Sequence, residues 1–301
     1  MLTGFKEGDI VSAVVFVKSA TKGTARNKNE FFKLIVNDGT SDIDAFVWDE
    51  ELFDKIKTDC SIKVKAKYSK YNGKDKLDIT EFIETKEKVK LPSLSDDEKK
   101  NYIKRLEILI GQITDPEYKQ LFNDVFDSVK PLFLIAPAAK RNHHAYLGGL
   151  LQHTVEVAEI CVSTYKQNPK NLNLSLLICG ALLHDVGKIK SYTYDKIIDR
   201  STTGKLLEHI SLGLMILTRL IPANFPIKKI NSVCHLIVSH HGKRDWGSPV
   251  EPLMKEAVIL HQADMINSYT ARFDELAEAS KDKEWTEFDN TYNRSWYLEN
   301  K

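Results

Sequence analysis

The spacing of apolar positions changes character once along the chain, near residue 90. Before that point apolar and polar residues alternate in short runs, the period of a strand with one buried face. Residues 9–17 are alternating and β-branched, and 31–36 run into Asn37-Asp38-Gly39-Thr40, a turn sequence. Over 43–48, Ile43, Ala45 and Val47 face one way and Asp44, Phe46 and Trp48 the other. Over 61–68, Ile62, Val64, Ala66 and Tyr68 alternate with lysines. Tyr71-Asn72-Gly73-Lys74 reads as a hairpin turn, and 77–83 as a last strand. Residues 50–56 have the pattern of a short helix between strands.

After the change the apolar period lengthens to three and four residues, that of amphipathic helices. Residues 87–100, with Pro92 and the capping run Ser95-Asp96-Asp97-Glu98, lead into it as a linker. Helices are predicted over 102–110, 118–129, 147–165, 172–183, 206–221, 227–239 and 253–269. Trp285, Phe288, Tyr292, Trp296 and Tyr297 make an aromatic tail expected to pack back onto the helices. Five short strands with one interposed helix suggest a small OB-type barrel. The expected organisation is multidomain: an all-β OB-fold domain over 1–86, linker and leading helices over 87–130, an all-α domain over 131–275, and the tail over 276–301.

Composition changes this picture little. The chain has 301 residues, enough for two domains, and a formal net charge of +1, so overall charge does not announce a nucleic-acid partner. Basic surface must come from local clustering, and Lys55, Lys57, Lys63, Lys65, Lys67, Lys70, Lys74 and Lys76 supply it. Cys60, Cys161, Cys179 and Cys234 are scattered, which argues against a zinc ribbon or a disulfide framework and for a reducing, cytoplasmic home. The first nine residues lack the apolar run of a signal peptide, and no stretch approaches 18 uncharged apolar residues, so no membrane span is expected.

The histidines redirect the reading. All nine lie between His143 and His261. His153 falls within one predicted helix. His184-Asp185 ends the next, with Gly187 as a helix terminator, and His209 starts another. His240-His241 closes a helix before Gly242, and Asp264 lies in the last long helix. Imidazole and carboxylate ligands suit Mn, Fe, Co, Ni or Zn. An adjacent His-Asp pair serves two divalent metal ions only if the carboxylate bridges them. One histidine alone is more often a packing residue than a ligand; the set in its order is the signal.

That order, H…HD…H…HH…D on successive helices, resembles the HD-domain metal-dependent phosphohydrolase superfamily. Local strings resemble the YhaM family of 3′–5′ exoribonucleases more closely. They include Pro137-Ala138-Ala139, His143-His144-Ala145-Tyr146, Gly148-Gly149-Leu150-Leu151-Gln152-His153-Thr154 and His184-Asp185-Val186-Gly187-Lys188. Further strings are Glu208-His209-Ile210, Ser239-His240-His241-Gly242, Gly247-Ser248-Pro249 and Glu256-Ala257. The resemblance covers nearly the whole chain and implies an OB-fold followed by an HD domain. It implies one metal held by His153, His184 and Asp264, a second by His209, His240 and His241, and Asp185 bridging them. It further implies hydrolysis of single-stranded RNA from the 3′ end to nucleoside 5′-monophosphates, with single-stranded DNA as a further substrate. The chain departs from the pattern in Ala263-Asp264-Met265-Ile266-Asn267, where a second acidic residue is expected near position 267.

Other side chains are candidates for contacts to substrate. Lys188, three residues after Asp185, is placed to put an ammonium on the scissile phosphate; the alternative is a solvated lysine at a helix C-terminus. Arg141, Lys243 and Arg244 flank the site and suit neighbouring phosphates, while His143 and His144 suit substrate contact or support of the ligands. His261 fits support or core packing, and His235 packing alone. In the N-terminal domain Phe16, Phe32, Phe46, Trp48, Tyr68 and Tyr71 are available for base stacking, although several must fill the barrel. Phe46, Trp48 and Tyr71 are expected to be the exposed ones. Two other functions fit the chemistry: a nucleotide or cyclic-dinucleotide phosphohydrolase, disfavoured by the OB-type domain, and a non-enzymatic nucleic-acid-binding factor, disfavoured by the full ligand set. The apolar helical surface and the aromatic tail permit a homo-oligomer.

Overall fold

The computed structural model describes residues 5–24, 30–71, 74–141, 144–281 and 283–299, with only the backbone of Tyr71. The chain forms two compact units: Met1–Pro92 with Thr193–Asp199, and Ser93–Tyr192 with Arg200–Lys301. The structural division thus falls at residue 92, and a short segment from the helical half of the sequence belongs to the first unit.

In that first unit, β1 (Ile10–Thr24), β2 (Glu30–Asn37), β3 (Asp42–Val47), β4 (Cys60–Tyr71) and β5 (Lys74–Glu84) close into a barrel of order β1-β2-β3-β5-β4. Neighbours are antiparallel except β3 with β5, which run parallel. β1 extends beyond the run its apolar pattern marks. Its first half pairs with β4 and its second with β2, and a register shift between Val17 and Ser19 bends the strand from one partner to the other. Val15, Val17, Leu34, Val36, Ala45, Val47, Ile62, Ala66 and Leu77 fill the interior. Helix α1 (Glu50–Asp54), capped by Asp49, brings Phe53 to stack on Phe32, ring centroids 4.4 Å apart. Asn72 and Gly73 of the expected hairpin turn lie outside the described residues, but Tyr71 pairs with Lys74 in register.

Residues Thr193–Asp199 add to this unit. Ile197 packs with Phe16 and Val89, Lys18 lies between Asp42 and Asp199, and Lys196 pairs with Asp59 at 2.8 Å.

The second unit is helical: α2 (Asp96–Gly111), α3 (Pro116–Phe133), α4 (Gly149–Gln167), α5 (Leu174–Leu183), α6 (Lys188–Ser191), α7 (Thr202–Leu220), α8 (Ile227–Ser239) and α9 (Lys255–Glu278). The Ser95 to Glu98 capping box starts α2 as its sequence predicts. Helix α5 is buried from Ser175 to Leu183 on all sides, a core helix with no polar face. Around it pack α3, α4, α8 and α9. Helix α7 begins four residues before its expected start, on the Ser201 cap, and breaks at Glu208, where φ is 56° and ψ 160°. The tail lies against α9: Tyr292 stacks on Tyr269 at 3.9 Å, Trp296 meets Phe273 edge-on at 5.8 Å, and Arg272 pairs with Asp289.

Candidate metal centre

Five helices deliver the ligand candidates. α4 carries His153; α5 ends on His184 as its C-cap, and Asp185 follows. His209 comes directly after the break in α7, His240 caps α8 and His241 follows it, and α9 carries Asp264. Gly187 is needed here for a reason other than the one its sequence suggests. Its φ is −64°, so it is no left-handed terminator. A Cβ there would sit 1.9 Å from the His209 carbonyl oxygen. The glycine therefore lets the turn after Asp185 lie directly against the backbone that carries His209. Gly242, at φ +80°, has the ring of His261 where a Cβ would go, 2.3 Å away. His261 Nδ1 in turn donates to the His240 carbonyl at 2.8 Å and holds the His-His turn.

The donor atoms converge. His209, His240 and His241 form one group, His153, His184 and Asp264 a second, and His184, Asp185 and His240 link them, ligand atoms within each group lying within 4.8 Å of one another. Asp185 faces both sides. Its Oδ2 is 3.2 Å from His153 Nε2 and 3.3 Å from His184 Nε2, and its Oδ1 is 3.5 Å from His209 Nε2 and 3.6 Å from His240 Nε2. Asp264 Oδ1 stands 3.3 Å from His153 Nε2. Ligands at about 2.0–2.1 Å from a tetrahedral ion lie about 3.3–3.4 Å apart, so these spacings suit a cation among them.

Hydrogen bonding tests the fit. Nδ1 of His184, His240 and His241 donates to the carbonyls of Ala181, Ile237 and Trp246, at 2.7, 2.6 and 2.7 Å. A carbonyl can only accept, so the proton is on Nδ1, and in the neutral ring the Nε2 lone pair faces the site. His184 Nε2 lies 3.3 Å from His153 Nε2, and His209 Nε2 lies 3.4 Å from His240 Nε2. Asp185 Oδ1 is buried with no hydrogen-bond partner among the described residues. Lone pairs turned on one another around a carboxylate repel unless positive charge sits between them; the residues fit divalent ions.

The protonation pattern agrees. Burial opposes ionisation of Asp185, yet Lys188 and the adjacent histidines hold its carboxyl well below the usual range. Burial drives His209 down to about 3 and His240 well below the ordinary imidazole value. His153 goes the other way. Burial opposes its protonation, but hydrogen bonds to Asp185 and Asp264 outweigh it and push the ring up to about 9. A proton on its Nε2 and a metal ion would answer the same two carboxylates.

Lys188 is not the solvated C-terminal lysine that its sequence position allows. It opens α6, its side chain is 13% exposed, and its ammonium is 2.6 Å from Asp185 Oδ2. Lys243 and Arg244 are exposed in the turn after His241, with Lys243 over the Trp246 ring at 4.6 Å; Arg141 is also exposed. His143 lies outside the described residues. His144 is buried, turned toward Asn267 at 3.1 Å rather than to solvent. His235 is half-buried and accepts from the Leu253 amide at 2.9 Å.

On the barrel, Phe32 and Tyr68 are interior and Phe16 is buried outside the barrel core beneath Val89 and Ile197, whereas Trp48 is 58% exposed and Phe46 half-buried. Phe46 stacks with Trp48 at 6.5 Å and meets Phe31 at 5.8 Å, and the ammonium of Lys76 lies 4.7 Å over its ring. The side chain of Tyr71 lies outside the described residues. Phe31 was legible from the alternation that buries Phe32, yet only its position beside Phe46 gives it meaning. Lys33 and Lys76 on this face pair with Asp44 and Asp78. Lys63, Lys65 and Lys67 are exposed together on β4, with Lys65 paired to Glu81.

Comparison with known proteins agrees with both units. The HD domain model matches residues 150–267, and the model of the OB-fold nucleic acid binding domain (tRNA_anti-codon) matches 6–85. A third model, TraI_2, described in terms of helicases, matches 88–171. The chain is 29% identical to the 3′-5′ exoribonuclease YhaM of Geobacillus sp. (strain WCH70), over 99% of this chain and 92% of that protein. It is 29% identical to the 3′-5′ exoribonuclease YhaM of Bacillus subtilis (strain 168), over 93% of this chain and 91% of that one. Among solved structures, the mitochondrial single-stranded DNA binding protein Rim1 of S. cerevisiae matches 27% of this chain and 97% of its own, at 16% identity and a TM-score of 0.23. The chain thus carries an OB-fold domain followed by an HD domain, and it is homologous over nearly its full length to YhaM exoribonucleases.

Proposed function

We propose that this chain is a metal-dependent 3′–5′ exoribonuclease that trims single-stranded RNA to nucleoside 5′-monophosphates, with single-stranded DNA as a secondary substrate. The observation that carries the reading is Asp185, one buried carboxylate whose two oxygens face two separate sets of histidines. That arrangement suits two ions sharing a bridge. His153, His184, Asp264 and Asp185 Oδ2 would hold one, and His209, His240, His241 and Asp185 Oδ1 the other. Mn is the metal we favour, in a cytoplasmic protein; among the described residues no helix is long and apolar enough to cross a membrane.

Bound there, two divalent ions neutralise a phosphodiester, lower the pKa of water and align the attack. The chain's own residues prepare that chemistry. Backbone carbonyls fix the rings of His184, His240 and His241 with Nε2 inward. Lys188, held beside Asp185, supplies a fixed positive charge for the scissile phosphate. Lys243, Arg244 and Arg141 serve the neighbouring phosphates, and His144 supports the site from behind it. On the barrel Phe31, Phe46 and Trp48 offer stacking surface to unpaired bases.

The test is incubation of Mn-loaded protein with end-labelled RNA, matching DNA and a panel of nucleotides. Stepwise loss of 5′-monophosphates from the RNA 3′ end is expected, and Asp185→Ala should abolish it. Cleavage of nucleotides with the RNA left intact would overturn the assignment, as would full activity in Asp185→Ala.

A further inference from the structure

Position 267 holds an asparagine, and the structure gives that amide a task. His184, His240 and His241 each fix their ring through a main-chain carbonyl. His153 sits inside α4, and its Nδ1 reaches instead to Asn267 Oδ1 at 2.7 Å. An amide has an acceptor end and a donor end. Turned the wrong way, its NH2 would face His153 Nδ1 and favour the tautomer with a proton on Nε2, where a metal ion must bind.

Glu156 decides the orientation. Asn267 Nδ2 donates to Glu156 Oε2 at 2.7 Å, which commits Oδ1 to the histidine side. Glu156 stands three residues after His153 on the same face of α4, and Asn267 three residues after Asp264 on α9, so each helix supplies one ligand and one supporting residue. The carboxylate is itself held: its Oε1 accepts from Tyr102 Oη at 2.6 Å and from Gln152 Nε2 at 2.9 Å. His144 Nε2 lies 3.1 Å from the same Asn267 oxygen, and its Nδ1 is 2.9 Å from Tyr146 Oη. His144 reaches this place through a left-handed backbone, φ 59°.

We propose that Asn267, its amide oriented by Glu156, is the positioning residue that keeps His153 in its metal-binding tautomer. The negative charge of Glu156 is thus relayed to His153 through the amide. This rests on the two-metal reading above.

The test measures Mn2+ binding to the full chain by calorimetry and by the EPR signal of free Mn2+, independently of RNA cleavage. Wild type should take up two ions. Asn267→Leu should weaken one of the two by roughly 10–100-fold and leave the other, the usual effect of removing a ligand's supporting hydrogen bond. Glu156→Gln, which keeps the size but frees the amide to turn, should weaken the same ion by a smaller factor. The double variant Asn267→Asp with Glu156→Gln moves the charge onto residue 267 and should restore binding. Wild-type affinity for both ions in Asn267→Leu would overturn the proposal, as would a double variant no tighter than Glu156→Gln alone. If wild type bound no Mn2+, the metal reading itself would fall, and this one with it.

Discussion

Glu208 occupies backbone angles, φ 56° and ψ 160°, that glycine alone adopts readily, one residue before His209. The strain turns the chain so that His209 can face Asp185, while Arg200 holds the Glu208 carboxylate. That ion pair is partly solvated and contributes little. Glu208→Gly should therefore raise stability by about 1 kcal/mol, the strain relieved less the extra freedom of the unfolded chain. A shift of the urea midpoint upward checks it; a shift downward shows the backbone to be unstrained. His144 makes a pH prediction. Burial lowers its pKa from 6.5 to about 4 in the folded protein. Below pH ~6.5 the unfolded chain takes a proton that the folded chain refuses, so stability falls as pH drops toward about 4 and is retained above. The full loss is of order 3 kcal/mol. Urea melts of EDTA-treated protein between pH 7 and 4.5 should show this slope, and His144→Asn, which tolerates a left-handed backbone, should flatten part of it. Histidine and aspartate order made the candidate ligands legible, and the structure brings them together, because few other roles demand that sequence of types. Asn267 stood out as a departure, but its task with Glu156 was not legible, since an amide and a glutamate on helices are ordinary until α4 and α9 bring them together.

The β3 strand shows how far alternation alone reaches. It sets Phe46 and Trp48 on the outer face, and they stack there beside Phe31. The second half of β1 was hidden, because Ser19 to Thr24 carry mostly polar side chains and owe their extension to pairing with β2. The start of α7 was hidden for a related reason: a helix broken at Glu208 has no continuous apolar stripe. The aromatic face leads to a prediction. Trp48→Ala and Phe46→Ala should each weaken single-stranded RNA binding by about 1–3 kcal/mol, the cost of a lost base stack. Because Lys33 and Lys76 are paired with acids on this face, the lost part should depend only weakly on salt. Fluorescence anisotropy over a KCl series measures both, and undiminished affinity in the two variants would remove this face from the binding surface.

At the scale of the whole molecule, metal and stability are linked. Asp185 and His240 are almost completely buried and already turned toward one another, so ions bound among them favour the folded state over the unfolded one. Mn2+ at about 100 times its Kd should add about 2.7 kcal/mol per site, and chelation should remove it, seen as a fall in Tm with EDTA. A Tm indifferent to both would contradict a specific site. The barrel unit carries a different consequence. It is built from residues 1–92 together with Thr193–Asp199, and Ile197 and Asp199 sit on Phe16, Val89 and Lys18. As the chain leaves a ribosome, the strands can pair early, but Phe16 and Lys18 must wait for more than a hundred further residues before their last partners emerge. The N-terminal domain is first to begin folding, yet it stays unfinished until Asp199 has emerged.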